Sequence, residues 1–234
     1  MTIEQWISFA KGPLFALTFL IMFLGLIRHG FIQVYSLFIT KGRRLKKVPW
    51  KSIFSDLAKW MFPFRHFIKG TVLFSTVSFI FHIGAIFVSV LLIDHIVLWE
   101  SFLDINLPAM GRHAADILTL ITIGCILVLL GCRICVKRQR TMSRKSDYLL
   151  LIMVLLPFVF GYLAGHPNVN PFSWQLAMLL HLLSAEALFV VIPFTKLSHI
   201  VLYFFDRMSA LHWQLKPGAG DKVAAALFGE EAKV

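Results

Sequence analysis

The sequence has 234 residues, of which 58% are hydrophobic and only 15% are charged, and its mean hydropathy is +0.78. A water-soluble domain of this length does not need so much apolar sequence, so the composition indicates an integral membrane protein. Of the 23 Lys and Arg residues behind the net charge of +11, 19 lie in three polar segments, which is typical of cytoplasmic loops and not of a nucleic-acid surface.

Five hydrophobic segments are each near the ~20 residues that a membrane-spanning helix needs. They run from Pro13 to Thr40, Thr71 to Trp99, Arg112 to Cys135, Tyr148 to Ala164 and Trp174 to Phe205. The basic segments alternate with short, weakly charged ones, Glu100 to Gly111 and Gly165 to Pro171. By the positive-inside rule, the sequence predicts an all-α bundle of five transmembrane helices with the N-terminus outside and the C-terminus in the cytoplasm.

The polar parts of the chain divide it into a membrane domain, residues 1–207, and a cytoplasmic tail, residues 208–234. Between Lys41 and Lys69 lies a basic loop whose middle, Trp50 to Phe62, has helical spacing of apolar residues. That piece is expected either to lie flat on the inner membrane surface or to bind a soluble partner, and the sequence leaves both alternatives open.

Two histidines stand in line on the fifth predicted span. His181 and His199 are 18 residues apart, which is five whole helical turns, so both side chains are expected on one helix face, ~27 Å apart along the axis. Ionisable side chains in a membrane helix are costly unless something binds them. A pair of b haems stacked across the bilayer would use such an arrangement.

The second predicted span supplies the matching histidines, His82 and His95. Because the two spans run antiparallel, depth pairs His82 with His199 near the cytoplasmic side and His95 with His181 near the outside. A low-spin haem b needs two axial imidazoles, one from each of two facing helices. His82 and His95 are separated by ~20 Å and ~220° on one helix, so a locally bent helix or haems at different azimuths are required. His66 is the rival ligand.

The sequence around these histidines resembles a known family. FHIG around His82, a second His 13 residues later, and HLLSAEALFVVIPFTKLSH from His181 to His199 are similar to the gamma subunit of respiratory nitrate reductase. They are more similar still to the membrane cytochrome b subunits of heterodisulfide-reductase-like and sulfite-reduction-associated menaquinol complexes. The resemblance covers about residues 10–207, although the second-span histidines are closer together in the nitrate reductase branch.

This resemblance implies a dihaem b protein that exchanges electrons between a quinone pool, menaquinone in particular, and a cytoplasmic iron–sulfur subunit. The chain is then an electron-transfer subunit of a quinone oxidoreductase complex in the cell inner membrane. The haem iron ligands are expected to be His82, His95, His181 and His199. Arg28, in the inner half of the first span, is expected either to reach the cytoplasmic interface or to pair with a haem propionate.

A quinone site needs groups that exchange protons with the ring oxygens. Ionisable residues collect near the predicted outer haem: Asp94, Arg112, His113 and Asp116. Asp116 follows Arg112 by four residues, a spacing that allows an ion pair. We expect Asp94, Arg112 and Asp116 to form the quinone pocket. Nearer the inner haem, Glu186 and Lys196 are expected to be buried.

Two other functions are compatible with parts of the pattern. Intramembrane His residues and Glu186 suit a proton relay in a transporter or channel, but the paired, broken-helix repeats typical of transporters are not evident. A membrane di-metal oxidase would need closely clustered His residues, which the sequence lacks.

An electron-transfer subunit also needs a soluble partner, because its electrons need an exit. The basic segments and the tail, which contains Trp213, Leu227 and Phe228, are expected to form a cytoplasmic platform for an acidic iron–sulfur protein. Anionic lipid is the competing explanation for the charges.

Overall fold

The computed structural model describes residues 2–41, 51, 54–55, 72–104, 107–200, 202 and 225 of the chain. Within those ranges every regular element is helical, and the one extended contact is an isolated bridge between Leu92 and Met110. The all-α prediction is confirmed for this part of the chain. His66, most of the segment from Trp50 to Phe62 and all of the tail except Ala225 lie outside the described residues.

The described helices are numbered here in chain order. α1 is Ile3–Phe9, α2 is Phe15–Lys41, α3 is Val72–Leu91, α4 is Ile93–Leu103, α5 is Arg112–Cys135, α6 is Lys137–Met142, α7 is Lys145–Gly165 and α8 is Trp174–Val191. A π-helical turn, Ala10–Leu14, joins α1 to α2, and two 3-10 turns, Ile192–Phe194 and Lys196–Ser198, follow α8.

Five stretches of the described residues are long and apolar enough to cross a membrane. They are Ile3–Tyr35, Val72–Leu91, Arg112–Cys135, Lys145–Gly165 and Trp174–Phe194. Large apolar side chains are exposed along them, among them Phe31 and Leu73, each 67% exposed. Exposure of this extent suits contact with lipid and not with water. The prediction of a multi-pass membrane protein with five spans is confirmed at this level.

The first span begins earlier than predicted. Thr2 and Gln5 form a capping box, in which the Thr2 hydroxyl accepts from the Gln5 N–H and the Gln5 amide oxygen accepts from the Thr2 N–H. The helix therefore starts at Ile3 and not at Pro13. Pro13 lies inside the π-helical turn that links α1 to α2, so the proline is accommodated without ending the span.

The second span is interrupted, contrary to the prediction of one helix from Thr71 to Trp99. Leu92 has an extended backbone (ψ 132°) between α3 and α4. The Leu91 carbonyl accepts from the Met110 N–H at 2.7 Å, which ties the chain after α4 back to the break. Glu100 to Leu103, predicted as loop, belong to α4, and the helix ends at Asp104, whose φ is +52°.

The fifth span is also broken, and this overturns the prediction of one helix from Trp174 to Phe205. α8 ends at Val191, because Pro193 has no N–H for the helical ladder and its ring clashes with the preceding turn. Thr195 then adopts an extended conformation, and its hydroxyl accepts from the Leu197 N–H. His181 and His199 therefore do not leave the same face of one continuous helix.

Small residues allow close packing between helices. A Cβ at Gly84 of α3 would overlap the hydroxyl of Thr122 on α5, and Thr122 itself is fully buried. The Thr122 hydroxyl donates to the Leu118 carbonyl at 2.7 Å, so it stays satisfied inside this contact. Close approach through small residues and self-satisfied hydroxyls is typical of membrane helices.

The chain divides into two compact units. The first comprises Met1–Ile21 and Arg65–Val191, and the second comprises Met22–Phe64 and Ile192–Val234. Each is described by itself below. The first unit contains most of the residues predicted to bind a cofactor.

Candidate functional site

His181 is held in place by α7. Its Nδ1–H donates to the Pro157 carbonyl at 2.8 Å. One turn along α7, Gly161 leaves the space that the imidazole fills, since a Cβ there would lie 2.8 Å from Nδ1 and 2.9 Å from Cε1. His181 lies on a helix as predicted, whereas the supporting roles of Pro157 and Gly161 were not predicted. Pro157 and Gly161 are four residues apart, so they lie on one face of α7. This spacing was the only feature of the sequence that could have indicated their role.

His95 is positioned by the break at Leu92. It lies in the first turn of α4, and its Nδ1–H is shared between the carbonyls of Val88 and Ser89, at 3.2 and 3.1 Å. Those carbonyls belong to the last turn of α3, where helical partners run out. The His95 imidazole therefore caps the C-terminal end of α3. The break at Leu92 determines where Nε2 of His95 lies.

These two imidazoles come together. The rings of His95 and His181 are parallel, with 2° between their planes and 6.0 Å between their centroids. In both rings Nδ1 faces a carbonyl and must carry the hydrogen, so Nε2 carries the lone pair. A backbone carbonyl at one ring nitrogen is the usual way in which a protein orients a histidine that binds a metal through the other.

The separation of the two rings matches that of two imidazoles that would hold one haem iron. With each ligating nitrogen about 2 Å from the metal, two axial imidazoles have ring centres about 6 Å apart. That is the observed separation. Within the described residues, no group of three or more His, Cys, Asp or Glu could hold a bare metal ion. A haem needs only two protein ligands, since the macrocycle supplies the rest.

The other two candidate ligands show the same use of Nδ1. The Nδ1–H of His82 donates to the Ser78 carbonyl at 2.6 Å, and that of His199 donates to the Lys196 carbonyl at 2.7 Å. His82 belongs to the first unit and His199 to the second, so their pairing stays a prediction. In all four predicted ligands Nδ1 therefore donates to a backbone carbonyl.

The residues predicted to form the quinone pocket make two separate contacts. Arg112 pairs with Asp94, at 3.2 and 3.4 Å to the two carboxylate oxygens, and both side chains are mostly exposed, at 74% and 61%. Asp116 pairs not with Arg112 but with Nε2 of His166, at 3.3 Å. His166, which sequence reasoning missed, also donates from Nδ1 to the Tyr162 carbonyl at 2.8 Å. His113 is exposed.

Of the remaining candidates, Glu186 and Lys196 differ in their surroundings. Glu186 is 3% exposed, as predicted, and neither carboxyl oxygen has a hydrogen-bond partner among the described residues. Lys196 is exposed, contrary to the prediction that it is buried. It follows the break at Pro193, where the chain has left the regular helix.

In the second unit, Arg28 is exposed on α2. Its neighbour His29, which had no predicted partner, binds the Pro193 carbonyl through Nε2 at 2.7 Å. His29 thus stabilises the turn after α8, and its Nε2 is already used.

Comparison with known proteins gives one informative match. The chain is 33% identical over 210 residues to a curated protein of Nitratidesulfovibrio vulgaris strain Hildenborough, and the match covers 86% of this chain and 89% of that protein. No protein-family model and no solved structure matches the chain. At this identity and coverage, the chain belongs to the same family as the N. vulgaris protein.

Proposed function

We propose that this protein is a membrane subunit that binds two b haems and transfers electrons between a quinone pool and a cytoplasmic iron–sulfur subunit. The observation that carries the proposal is the parallel pair of His95 and His181, 6.0 Å apart, with both Nδ1 atoms bound to carbonyls. An interhelical hydrogen bond alone does not require both imidazoles to be oriented in this way.

Four residues would hold the two haems. His95 and His181 would ligate one iron, and His82 and His199 the other, with His66 as the alternative to a second-span ligand. A bound haem would supply a one-electron redox centre. The chain's own contribution is to keep each imidazole in the Nδ1–H tautomer and to fix its ring through carbonyls of neighbouring turns. Arg28 remains a candidate partner for a haem propionate.

The proposed orientation follows from charge. Basic residues between Lys41 and Lys69, between Arg133 and Lys145 and in the tail would face the cytoplasm, with the N-terminus outside. The first pair, His95 and His181, would then serve the outer haem. The ion pairs of Asp94 with Arg112 and of Asp116 with His166 would lie at the outer surface, where protons released from a quinol can reach water.

A proton relay in a transporter or channel is the second candidate, and buried, unpartnered Glu186 is the observation that favours it. An optical spectrum separates the two functions. We expect the purified protein to show a Soret band and an α band that sharpen on reduction with dithionite. Pyridine haemochrome analysis should give two b haems per chain. A colourless, haem-free protein that conducts protons in liposomes would establish the relay instead.

A matched pair of variants makes this test specific. His181→Ala should lose one of the two haems, because among the described residues no other side chain faces the His95 imidazole as His181 does. His113→Ala, which removes an exposed histidine of α5, should retain both. Equal haem content in the two variants would contradict the assignment of His181.

A further inference from the structure

Buried side-chain atoms of four residues in the first unit lack a hydrogen-bond partner among the described residues: Trp99, Arg133, Gln139 and Glu186. Two of these groups lie on the helices that carry His95 and His181. One is the carboxyl group of Glu186 on α8, and the other is the indole Nε1–H of Trp99 on α4. Burying such a group without a hydrogen-bond partner is unfavourable. One of these groups can accept a hydrogen bond and the other can donate one, so together they offer the chemistry of a binding site.

An aromatic cluster connects the two groups. It consists of Phe15, Phe19, Trp99, Phe102 and Phe189. The Trp99 ring lies 5.9 Å from Phe15 and 5.7 Å from Phe19, and Phe189 lies 5.9 and 6.2 Å from the same two rings. Phe102 completes the cluster at 5.0 Å from Phe15. Glu186 precedes Phe189 by three residues, so the two leave neighbouring positions on one face of α8.

The aromatic cluster is close to the paired imidazoles. Trp99 follows His95 by four residues on α4, one turn away on the same face, about 6 Å along the axis. Glu186 follows His181 by five residues, about 7.5 Å along α8. The helices that carry the two candidate ligands therefore carry the two unpartnered polar groups as well.

We propose that the aromatic cluster, with Trp99 and Glu186, binds the ring of a quinone. This rests on the proposed function and gives its quinone a site. The indole N–H of Trp99 donates to one ring oxygen. The Glu186 carboxyl group donates to a quinone carbonyl or accepts from a quinol hydroxyl, so both redox forms are accommodated. The aromatic side chains contact the ring, as is usual for apolar ligand sites with few polar groups.

The ion pair of Asp94 and Arg112 is a weaker candidate for holding the ring. Both side chains are mostly exposed and already satisfy each other's charge. A quinone ring is flat and largely apolar, so it gains more from a buried aromatic cluster than from a solvated ion pair. Asp94, Arg112 and Asp116 remain suited to exchanging protons with water at the surface.

The test measures binding of the fluorescent quinol analogue 2-heptyl-4-hydroxyquinoline N-oxide to the full-length protein in lipid nanodiscs. Trp99→Phe removes the donor but keeps a ring, and Glu186→Leu keeps the approximate size but removes both the hydrogen-bond donor and the acceptor. Trp6→Phe and Glu100→Leu are the matched controls, since Trp6 and Glu100 are exposed. Phe189→Leu tests the aromatic cluster without touching either polar group. Haem content and menadiol-driven haem reduction are measured in parallel.

Each of Trp99→Phe and Glu186→Leu should weaken analogue binding about tenfold, which is the loss of one buried hydrogen bond. Phe189→Leu should weaken it as well, and the controls should bind like the wild type, all with unchanged haem content. The proposal is overturned if the wild type does not bind the analogue, or if only Asp116→Asn and Arg112→Ala weaken binding. Analogue binding and haem content are measured separately. A haem-free protein that binds the analogue, and loses this binding in Trp99→Phe and Glu186→Leu, would therefore reject the haem part of the proposed function and support the binding site.

Discussion

At the scale of single residues, the most informative feature is the use of Nδ1. His82, His95, His181 and His199 each donate from Nδ1 to a backbone carbonyl within their own or a neighbouring element. Two of these carbonyls, of Val88 and Ser89, lie at the end of a helix, and one belongs to Pro157. These backbone carbonyls fix the orientation of each imidazole.

We predict that His199→Ala loses one haem and keeps the other. The remaining haem would be held by His95 and His181, which do not depend on His199. Pyridine haemochrome analysis of the purified variant should give about half of the wild-type haem content. A variant with full haem content would rule out His199 as a ligand, and His66→Ala would then be measured in the same way.

Gly161 gives a second prediction at this scale. An added methyl group would lie within 2.9 Å of the His181 ring, so Gly161→Ala must displace the imidazole. We expect partial loss of the haem held by His181 and destabilisation by about 1–3 kcal/mol, typical of overpacking. Haem content and thermal unfolding in detergent measure both effects. Gly124→Ala on α5 is the control, because nothing lies within 4 Å of its added Cβ, and it should behave like the wild type.

At the scale of elements, the helix breaks at Leu92 and Pro193 affect the positions of the candidate ligands more than the regular helices do. The break at Leu92 separates α3, which carries His82, from α4, which carries His95, so the two histidines do not lie on one continuous helix. Pro193 likewise ends α8 before His199 is reached. A locally bent helix was one of the two expected ways for His82 and His95 to serve separate haems, and that role stays a prediction.

The contact between α3 and α5 yields a prediction with an internal control. Gly84→Ala would bring a methyl group into the Thr122 hydroxyl and push the helices apart. We expect a loss of about 1–3 kcal/mol in unfolding free energy, measured by titration with a denaturing detergent. Thr122→Ala in the same chain removes the clashing oxygen and should restore most of that loss. Equal destabilisation of the single and double variants would show that the two residues are not coupled.

At the scale of the whole molecule, the expected partner follows from electron flow and charge. A subunit that only transfers electrons needs a donor and an acceptor. The segments proposed to face the cytoplasm are basic, including α6 with Lys137, Arg138 and Arg140. The connection between α5 and α7 is ordered by Arg133, which donates to the Ser143 hydroxyl at 3.1 Å, and by the Tyr148 hydroxyl, which donates to the Arg133 carbonyl at 2.9 Å. This surface suits an acidic iron–sulfur protein.

We predict that truncation after Arg207 leaves both haems reducible by dithionite but detaches the iron–sulfur subunit during purification. The reason is that Trp213, Leu227 and Phe228 are better explained by binding to a protein than by exposure to water. Co-purification from the native membrane, compared with the full-length chain, measures the effect. If the partner is retained in full yield, the basic loops carry the interface without the tail.

The sequence by itself determined the membrane character, the five spans and the candidate histidines. These follow from segment length, hydropathy and residue identity, which are local properties of the chain. The span boundaries were less predictable. The first span starts at Ile3, after the capping box at Thr2, and not at Pro13. Pro193 ends α8 although the apolar sequence continues beyond it.

Only the tertiary structure decided how the candidate residues meet. The approach of His95 to His181 depends on the break at Leu92, between α3 and α4, and on the space left by Gly161 and the carbonyl of Pro157, both on α7. Periodicity on one helix cannot report contacts made by another. For the same reason, the spacing of four residues predicted that Arg112 pairs with Asp116. In the structure Arg112 contacts Asp94, and Asp116 contacts His166. Side-chain pairing in a membrane bundle is decided between helices, where linear spacing carries no information.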